Sequence, residues 1–171
     1  MRASIGSLLP LVLVLAAATA ARAVEKNGYQ YDVQKTVLER GDNRVYYSTQ
    51  LDRLTALKVA LKNITFKEMP AGEITWEILN RKYNSTTIEL TSGKEKVPAI
   101  KSGQKIDLTV GLANVRGYIY GARRYVDELE WQLTITREGK EELKINSTKN
   151  FDSLAKRAVR VDVPGSEPPK P

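Results

Sequence analysis

Apolar and polar side chains alternate with a period of two through most of this chain, the pattern of strands that bury one face. Tyr29, Tyr31, Val33, Lys35 and Val37 alternate with mostly polar partners until Gly41-Asp42-Asn43 interrupts the run. Leu57, Val59 and Leu61 share one parity and Ile64 and Phe66 the other. Such a change predicts a β-bulge near Lys62-Asn63, where one extra residue flips the following side chains. Ile74, Trp76 and Ile78 resume the alternation after Pro70-Ala71-Gly72. Thr86, Ile88 and Leu90 follow, ended by Ser92-Gly93, and then Ile106, Leu108, Val110 and Leu112 beyond Ser102-Gly103. The cleanest segment sets Leu129, Trp131, Leu133 and Ile135 against Glu128, Glu130, Gln132, Thr134 and Thr136. One face is wholly apolar and the other wholly polar, as in an antiparallel strand covering a core on one side. Glu138-Gly139-Lys140 then predicts a hairpin turn into Leu143 and Ile145.

Short strands at this spacing, separated by glycine and proline turns, predict an all-β fold: a single antiparallel β-sandwich, with a β-barrel as the second choice. The architecture is similar to immunoglobulin-like and fibronectin-like sandwiches, without a family motif and without the immunoglobulin cysteine pair. Two segments depart from the alternation. Residues 51–56 fit either a single helical turn or a strand lead-in. Phe151, Leu154, Ala155 and Ala158 recur at helical spacing behind Asn150, predicting one short C-terminal helix, after which Val159, Val161 and Val163 fit an edge strand.

The ends read differently. Residues 1–23 open with Arg2, continue apolar and uncharged to Ala21, and close on Ala21-Arg22-Ala23. A positive start, a short apolar stretch and an A-x-A end make a secretory signal peptide, cleaved after Ala23 or, as a second site, after Ala18-Thr19-Ala20. A spanning helix needs about 20 apolar residues, and this run is shorter and contains Pro10. Membrane attachment is expected only if the leader stays uncleaved. Residues 24–163 are then the β-sandwich domain, and residues 164–171, with four of the seven prolines, a disordered tail.

Composition narrows the function. The chain has no cysteine, so an exported domain of this size stands without disulfides, which favours a periplasmic or extracellular bacterial setting. Removal of the leader leaves 25 basic and 20 acidic residues, interspersed rather than striped, so no nucleic-acid partner is expected. With no histidine or cysteine, Ser-His-Asp and Cys-His catalysis and the usual zinc sites are excluded, and no cofactor or metal is expected. Carboxylate chemistry survives. Glu128 and Glu130, alternate on one strand face, stand roughly 6.5–7 Å apart, within the span of an inverting glycoside hydrolase pair.

The aromatic segment 116–125 is the most suggestive. Tyr118 and Tyr120 share a strand face, Ile119 points the other way toward the core, and Arg116, Arg123, Arg124 and Tyr125 crowd nearby. Tyrosine and arginine offer broad contact area with polar tips and are enriched in protein interfaces. The expected function is therefore an exported, non-catalytic binding or structural module of the bacterial envelope, acting through protein–protein contact at these six residues. A carbohydrate-binding module stacking sugar rings on Tyr118 and Tyr120 is the alternative, a polysaccharide then replacing the protein partner. Tyr46 and Tyr47 carry the same two readings, or simple cross-strand packing. Of the remaining motifs, Arg40-Gly41-Asp42 fits a hairpin turn. Asn63, Asn84 and Asn146 head N-x-Thr acceptor patterns of use only in a eukaryotic source. Lys156, Arg157 and Arg160 suit the C-terminal end of a helix.

Overall fold

The computed structural model describes residues 24–164. The expected leader and all but Pro164 of the expected tail lie outside them. The described residues form two curled sheets that pack face to face as an open sandwich, or half-barrel, so the all-β prediction holds. The first sheet runs β1 (Val24–Lys26), β2 (Tyr29–Arg40), β4 (Ser48–Asn63), β7 (Lys105–Tyr120) and β8 (Arg123–Val126), with β3 (Asn43–Val45) also paired to β4. The second runs β10 (Leu143–Asn146), β9 (Glu128–Arg137), β5 (Gly72–Arg81), β6 (Ile88–Val97) and β11 (Val159–Arg160). Each pairing is antiparallel except that of β11 with β6.

The core lies between the sheets. Leu57, Val59 and Leu61 of β4 and Val110, Ala113 and Val115 of β7 face Ile74, Trp76 and Ile78 of β5 and Leu129, Leu133 and Ile135 of β9. A second cluster on the outer face of the second sheet explains the helix. Phe151 of α1 (Phe151–Ala155) is fully buried against Leu79 and Leu90, whose parity turns them away from the main core. The helix thus covers an apolar patch that the five-stranded sheet would otherwise expose.

Two of the three long strands of the first sheet, β2 and β7, change face through a bulge, but neither bulge lies at Lys62-Asn63. Leu38 is the extra residue of β2, since Val37 pairs with Thr55 and Glu39 with Leu54. In β7 the extra residue is Gly111, since Leu112 pairs with Ala56 and Val110 with Leu57. Gly111 has φ +68°, and a Cβ there would lie 2.6 Å from Ile78 Cδ1 and 3.1 Å from Trp76 Cε3. The glycine satisfies the left-handed backbone and lets the Trp76 indole close the gap between the sheets. The core-facing set therefore shifts from Val110 to Ala113, and Leu112, expected to share the Val110 face, is only half-buried. The parity change at Ile64 and Phe66 has another cause, because β4 ends at Asn63 and both residues belong to a loop.

Residues 51–56 are strand, not helix, and Ser92-Gly93 does not end β6, which pairs with β5 through both residues to Val97. Gly41-Asp42 is not a hairpin turn either. Arg40 pairs with Arg53 and Asn43 with Gln50, so β2 and β3 continue along the same neighbour in one register. The Gly41 N–H donates to the Asp52 carbonyl at 2.7 Å within that gap. The chain turns instead at Tyr46-Tyr47, where Val45 faces Ser48. The Glu138-Gly139-Lys140 hairpin and the short helix behind Asn150 stand where the sequence predicts them.

Candidate functional site

Two hairpins end side by side at one end of the first sheet. The β3–β4 hairpin closes through Tyr46-Tyr47 and the β7–β8 hairpin through Gly121-Ala122. They are in register because Ser48 of the first faces Tyr120 of the second. The second turn uses Gly121 at φ +55°, the residue type a two-residue hairpin requires. The first places Tyr46 at φ +50°, where a bulky side chain is a strained choice. Tyr46 is 91 % exposed and Tyr47 85 %, so neither ring contributes packing to the fold.

Six of the eight tyrosines gather here: Tyr46, Tyr47, Tyr83, Tyr118, Tyr120 and Tyr125. Tyr118 faces Tyr125 across the β7–β8 ladder, and their rings stack at 4.8 Å with planes 25° apart. Tyr83, in the loop between β5 and β6, meets the Tyr118 ring edge-on at 5.7 Å and 80°. The loop is held by Asp127, a buried carboxylate between β8 and β9. Its Oδ1 accepts the Tyr83 N–H and its Oδ2 the Arg116 N–H, each at 3.1 Å, with Lys82 Nζ at 3.4 Å. One carboxylate thus pins a loop of the second sheet onto β7 and fixes the aromatic stack. A hollow of about 500 Å3 opens beside it, lined by Val45, Gln50, Asp52, Tyr83, Arg116 and Tyr118.

The predicted surface residues are brought together, but on two faces. Residues directly opposite on paired strands share a face. Tyr120 with Arg123 and Tyr118 with Tyr125 therefore lie on the outer side, beside Arg116. Arg124 is opposite Ile119 and belongs to the inner side. Ile119 does point away from the tyrosines, as expected, yet it stops short of the core and is only half-buried. Arg116 is paired with Asp52 at 3.6 Å, while Arg44, Arg123 and Arg124 are exposed and have no ion-pair partner among the described residues. Tyr83, Arg44 and Asp127 are the members the sequence reading missed. Tyr83 and Arg44 reach the site only through tertiary pairing, and Asp127 is in the sequence one acid beside Glu128 and Glu130.

On the inner side a cleft of about 570 Å3 opens where the two sheets diverge. Val37, Val115 and Val126 line it, with Lys35, Arg53 and Arg124 on one wall and Glu128 and Glu130 on the other. The two glutamates therefore share a cleft, yet each has its own partner. Glu128 is 3.6 Å from Arg81 and Glu130 accepts a hydrogen bond from the Ser147 hydroxyl. The Glu128 side chain is 70 % exposed, so water rather than an apolar wall surrounds it. Lys35 Nζ donates to the Leu129 carbonyl at 2.6 Å and ties β2 to β9 across the opening. Arg53 Nε donates to both Asp42 oxygens, at 2.9 and 3.0 Å, holding the Asp42 carboxyl below its ordinary pKa and raising the guanidinium.

The sequon asparagines differ in access. Asn63 is 0 % exposed and its amide nitrogen donates to the Lys67 and Ile100 carbonyls, leaving it closed to modification, whereas Asn84 and Asn146 are exposed. Lys156 caps the C-terminus of α1, with Arg157 just beyond it.

No protein-family model matches this chain, and no curated protein matches it. Among solved structures it is similar to SoR45, a Northeast Structural Genomics Consortium target, with TM-score 0.43 and 11 % identity over 70 % of this chain and 82 % of that one. It is also similar to a protein from Akkermansia muciniphila (TM-score 0.32, 12 % identity, 78 % and 81 % covered). The E. coli curli protein CsgC gives TM-score 0.33 and 9 % identity over 68 % of this chain and 98 % of that one. Likenesses this distant bear on neither ligand nor partner.

Proposed function

We propose that this chain is an exported, non-catalytic binding module of the bacterial envelope that grips a protein partner with its tyrosine- and arginine-rich end. The observation that carries the reading is Tyr46. It adopts a left-handed conformation that costs a non-glycine residue about 1–2 kcal/mol, and it leaves its ring in solvent. Folding gains nothing from that arrangement, and local strain of this kind is characteristic of contact sites. Near it lie Tyr47, Tyr120, Arg44 and Arg123, the two arginines without ion-pair partners among the described residues, and these are the residue types enriched in protein interfaces. Export rests on the leader, residues 1–23, and its Ala21-Arg22-Ala23 end.

The arrangement favours protein over sugar. A sugar platform needs two open, coplanar ring faces, and one face of Tyr118 is already taken by Tyr125. The absence of histidine and cysteine and the aqueous setting of Glu128 support a non-catalytic role. The test is crosslinked capture from an envelope extract of the source cell, comparing the unaltered chain with Tyr46→Ser/Tyr47→Ser. The expected result is one protein species lost from the variant, whose melting temperature is unchanged because both rings are exposed. Equal capture by both chains, or retention on purified polysaccharide with no protein captured, would overturn the reading.

A further inference from the structure

The opposite end of β4 carries a second, differently built contact element. Phe66 stands at the apex of the loop that follows Asn63, fully exposed at 102 %, with Ile64 also exposed beside it. The loop is held rigidly from below. The buried Asn63 side chain donates to the Lys67 and Ile100 carbonyls at 2.8 and 2.9 Å. Its Oδ1 accepts the Thr65 N–H and hydroxyl at 2.9 and 2.7 Å. Ser102 Oγ donates to the Thr65 carbonyl at 2.7 Å, and the Ile64 N–H to the Gly28 carbonyl at 3.0 Å. An apolar core containing Tyr29, Leu61, Met69 and Ile100 lies close by, yet the ring is turned away from it.

The charges around Phe66 say what kind of surface it meets. Lys62 faces Lys105 across the β4–β7 ladder, and Lys67 and Lys101 flank the loop and its bridge partner; all four are exposed. Lys105 is paired with Asp107 at 3.3 Å, leaving Lys62, Lys67 and Lys101 beside Glu68, with Glu138, Glu141 and Glu142 on the neighbouring β9–β10 turn, whose Glu142 carbonyl accepts from Asn27. Lysine is depleted from protein interfaces, whereas at a bilayer surface it lays its stem on apolar groups and its ammonium among phosphates. A convex loop with an aromatic apex and a lysine collar suits a soft anionic surface better than a preformed pocket. We propose that this loop contacts the headgroup layer of an anionic phospholipid bilayer, with Phe66 entering it and Lys62, Lys67 and Lys101 meeting lipid phosphates. β4 has 16 residues, so the Phe66 and Tyr46 ends stand roughly 50 Å apart, and membrane and partner can be held together.

Burial of Phe66 is worth about tenfold or more in partition, and each lysine about fivefold near an anionic leaflet. The product approaches the weak, reversible binding of a single myristoyl chain. The test is vesicle sedimentation with residues 24–171, which retain every described strand. Binding is expected on phosphatidylglycerol/phosphatidylethanolamine vesicles at millimolar lipid, and not on phosphatidylcholine alone. Phe66→Ala should lower the partition about tenfold with no change in melting, because the ring packs against nothing. Lys62→Glu/Lys67→Glu should abolish it, and Phe66→Trp should show a blue-shifted emission on binding. Tyr46→Ser/Tyr47→Ser should bind vesicles normally even if partner capture fails. No vesicle binding, equal binding by Phe66→Ala, or capture of a soluble protein through Phe66 in place of vesicles would each overturn the proposal.

Discussion

Replacing Gly111 with alanine tests how the two sheets are held where Ile78 and Trp76 press on β7. The residue is the extra member of β7, at φ +68°, and its Cβ position is occupied from the facing sheet by Ile78 Cδ1 at 2.6 Å and Trp76 Cε3 at 3.1 Å. A non-glycine residue in that conformation costs about 1–2 kcal/mol. Forcing a methyl group into a packed core adds about 1–3 kcal/mol, since Ile78 and Trp76 are both buried and Trp76 is itself pressed against Gly93. The lower chain entropy of unfolded alanine returns about 0.5–1 kcal/mol. The net loss is about 2–4 kcal/mol, or roughly 6–12 °C in melting temperature for a chain of this length. Gly103→Ala is the matched control, because Gly103 has φ +73° with nothing within 4 Å. There only the backbone cost remains, about 0.5–1 kcal/mol. Urea denaturation followed by tryptophan fluorescence measures both. If the two variants lose equal stability, Gly111 serves the turn of the backbone alone and the contact between sheets is not what excludes a side chain.

The strained hairpin makes the opposite prediction. Tyr46→Gly should leave stability unchanged or raise it by up to about 1 kcal/mol in the same assay, because relief of the left-handed strain offsets the added freedom of unfolded glycine. Arg137→Ala should cost about 2–4 kcal/mol by urea denaturation. The buried Arg137 guanidinium donates to the Pro70 and Pro98 carbonyls, lies 5.5 Å from the Tyr29 ring centroid, and has no carboxylate partner among the described residues, so truncation strands the carbonyls and opens a cavity. Asp42 predicts an acid limb. Its folded pKa lies below the unfolded value of about 3.9, so the Asp42–Arg53 contribution is complete above that pH. It is lost as pH falls through the lowered folded value. Denaturation between pH 5 and 2 should show a shallower loss for Asp42→Asn than for the unaltered chain. At the other extreme, burial pushes the Tyr29 hydroxyl up, the nearby Arg137 charge offsetting part of the rise. Stability should fall as pH rises past about 10, and Tyr29→Phe should remove that dependence in alkaline denaturation.

The segments that were legible are those in which one signal decides. β9 shows its core face, Leu129, Leu133 and Ile135, in its alternation, because an antiparallel strand covered on one side has a period that nothing else imitates. Phe151 and Leu154 are spaced for a helix, and the helix exists because Leu79 and Leu90 need a cover. Parity changes were legible as events but not as places. An extra residue within a strand and the end of a strand both flip the next apolar side chain, so Ile64 and Phe66 pointed to a bulge where β4 stops. Gly111, flanked by Val110 and Leu112, concealed a real bulge within an apolar run. Gly41-Asp42 resembled a turn because glycine and aspartate usually make one. The actual turn, Tyr46-Tyr47, contains neither glycine nor asparagine.

That last error bears on function. A turn written with glycine can be found by composition, because the residue serves the backbone; one written with tyrosine gives no such signal, and on the proposed reading its rings serve a partner. The same holds for Asp127, whose carboxylate serves two N–H groups from different strands and loops. It also holds for Phe66, whose loop is fixed by Asn63 while its ring touches nothing. Both ends of β4 therefore hold aromatic rings in water, Tyr46 on a strained left-handed backbone and Phe66 on a loop fixed by Asn63. One end is surrounded by arginine and the other by lysine, although both cations would serve solubility equally. Selection for solubility would not sort them. Arginine's planar fork suits protein carboxylates and aromatic faces, and lysine's compact ammonium suits a diffuse layer of lipid phosphates. The segregation of the two cations toward the two ends of β4 is what the two proposed contacts would require, and on those proposals loss of either aromatic tip should weaken one contact and spare the other.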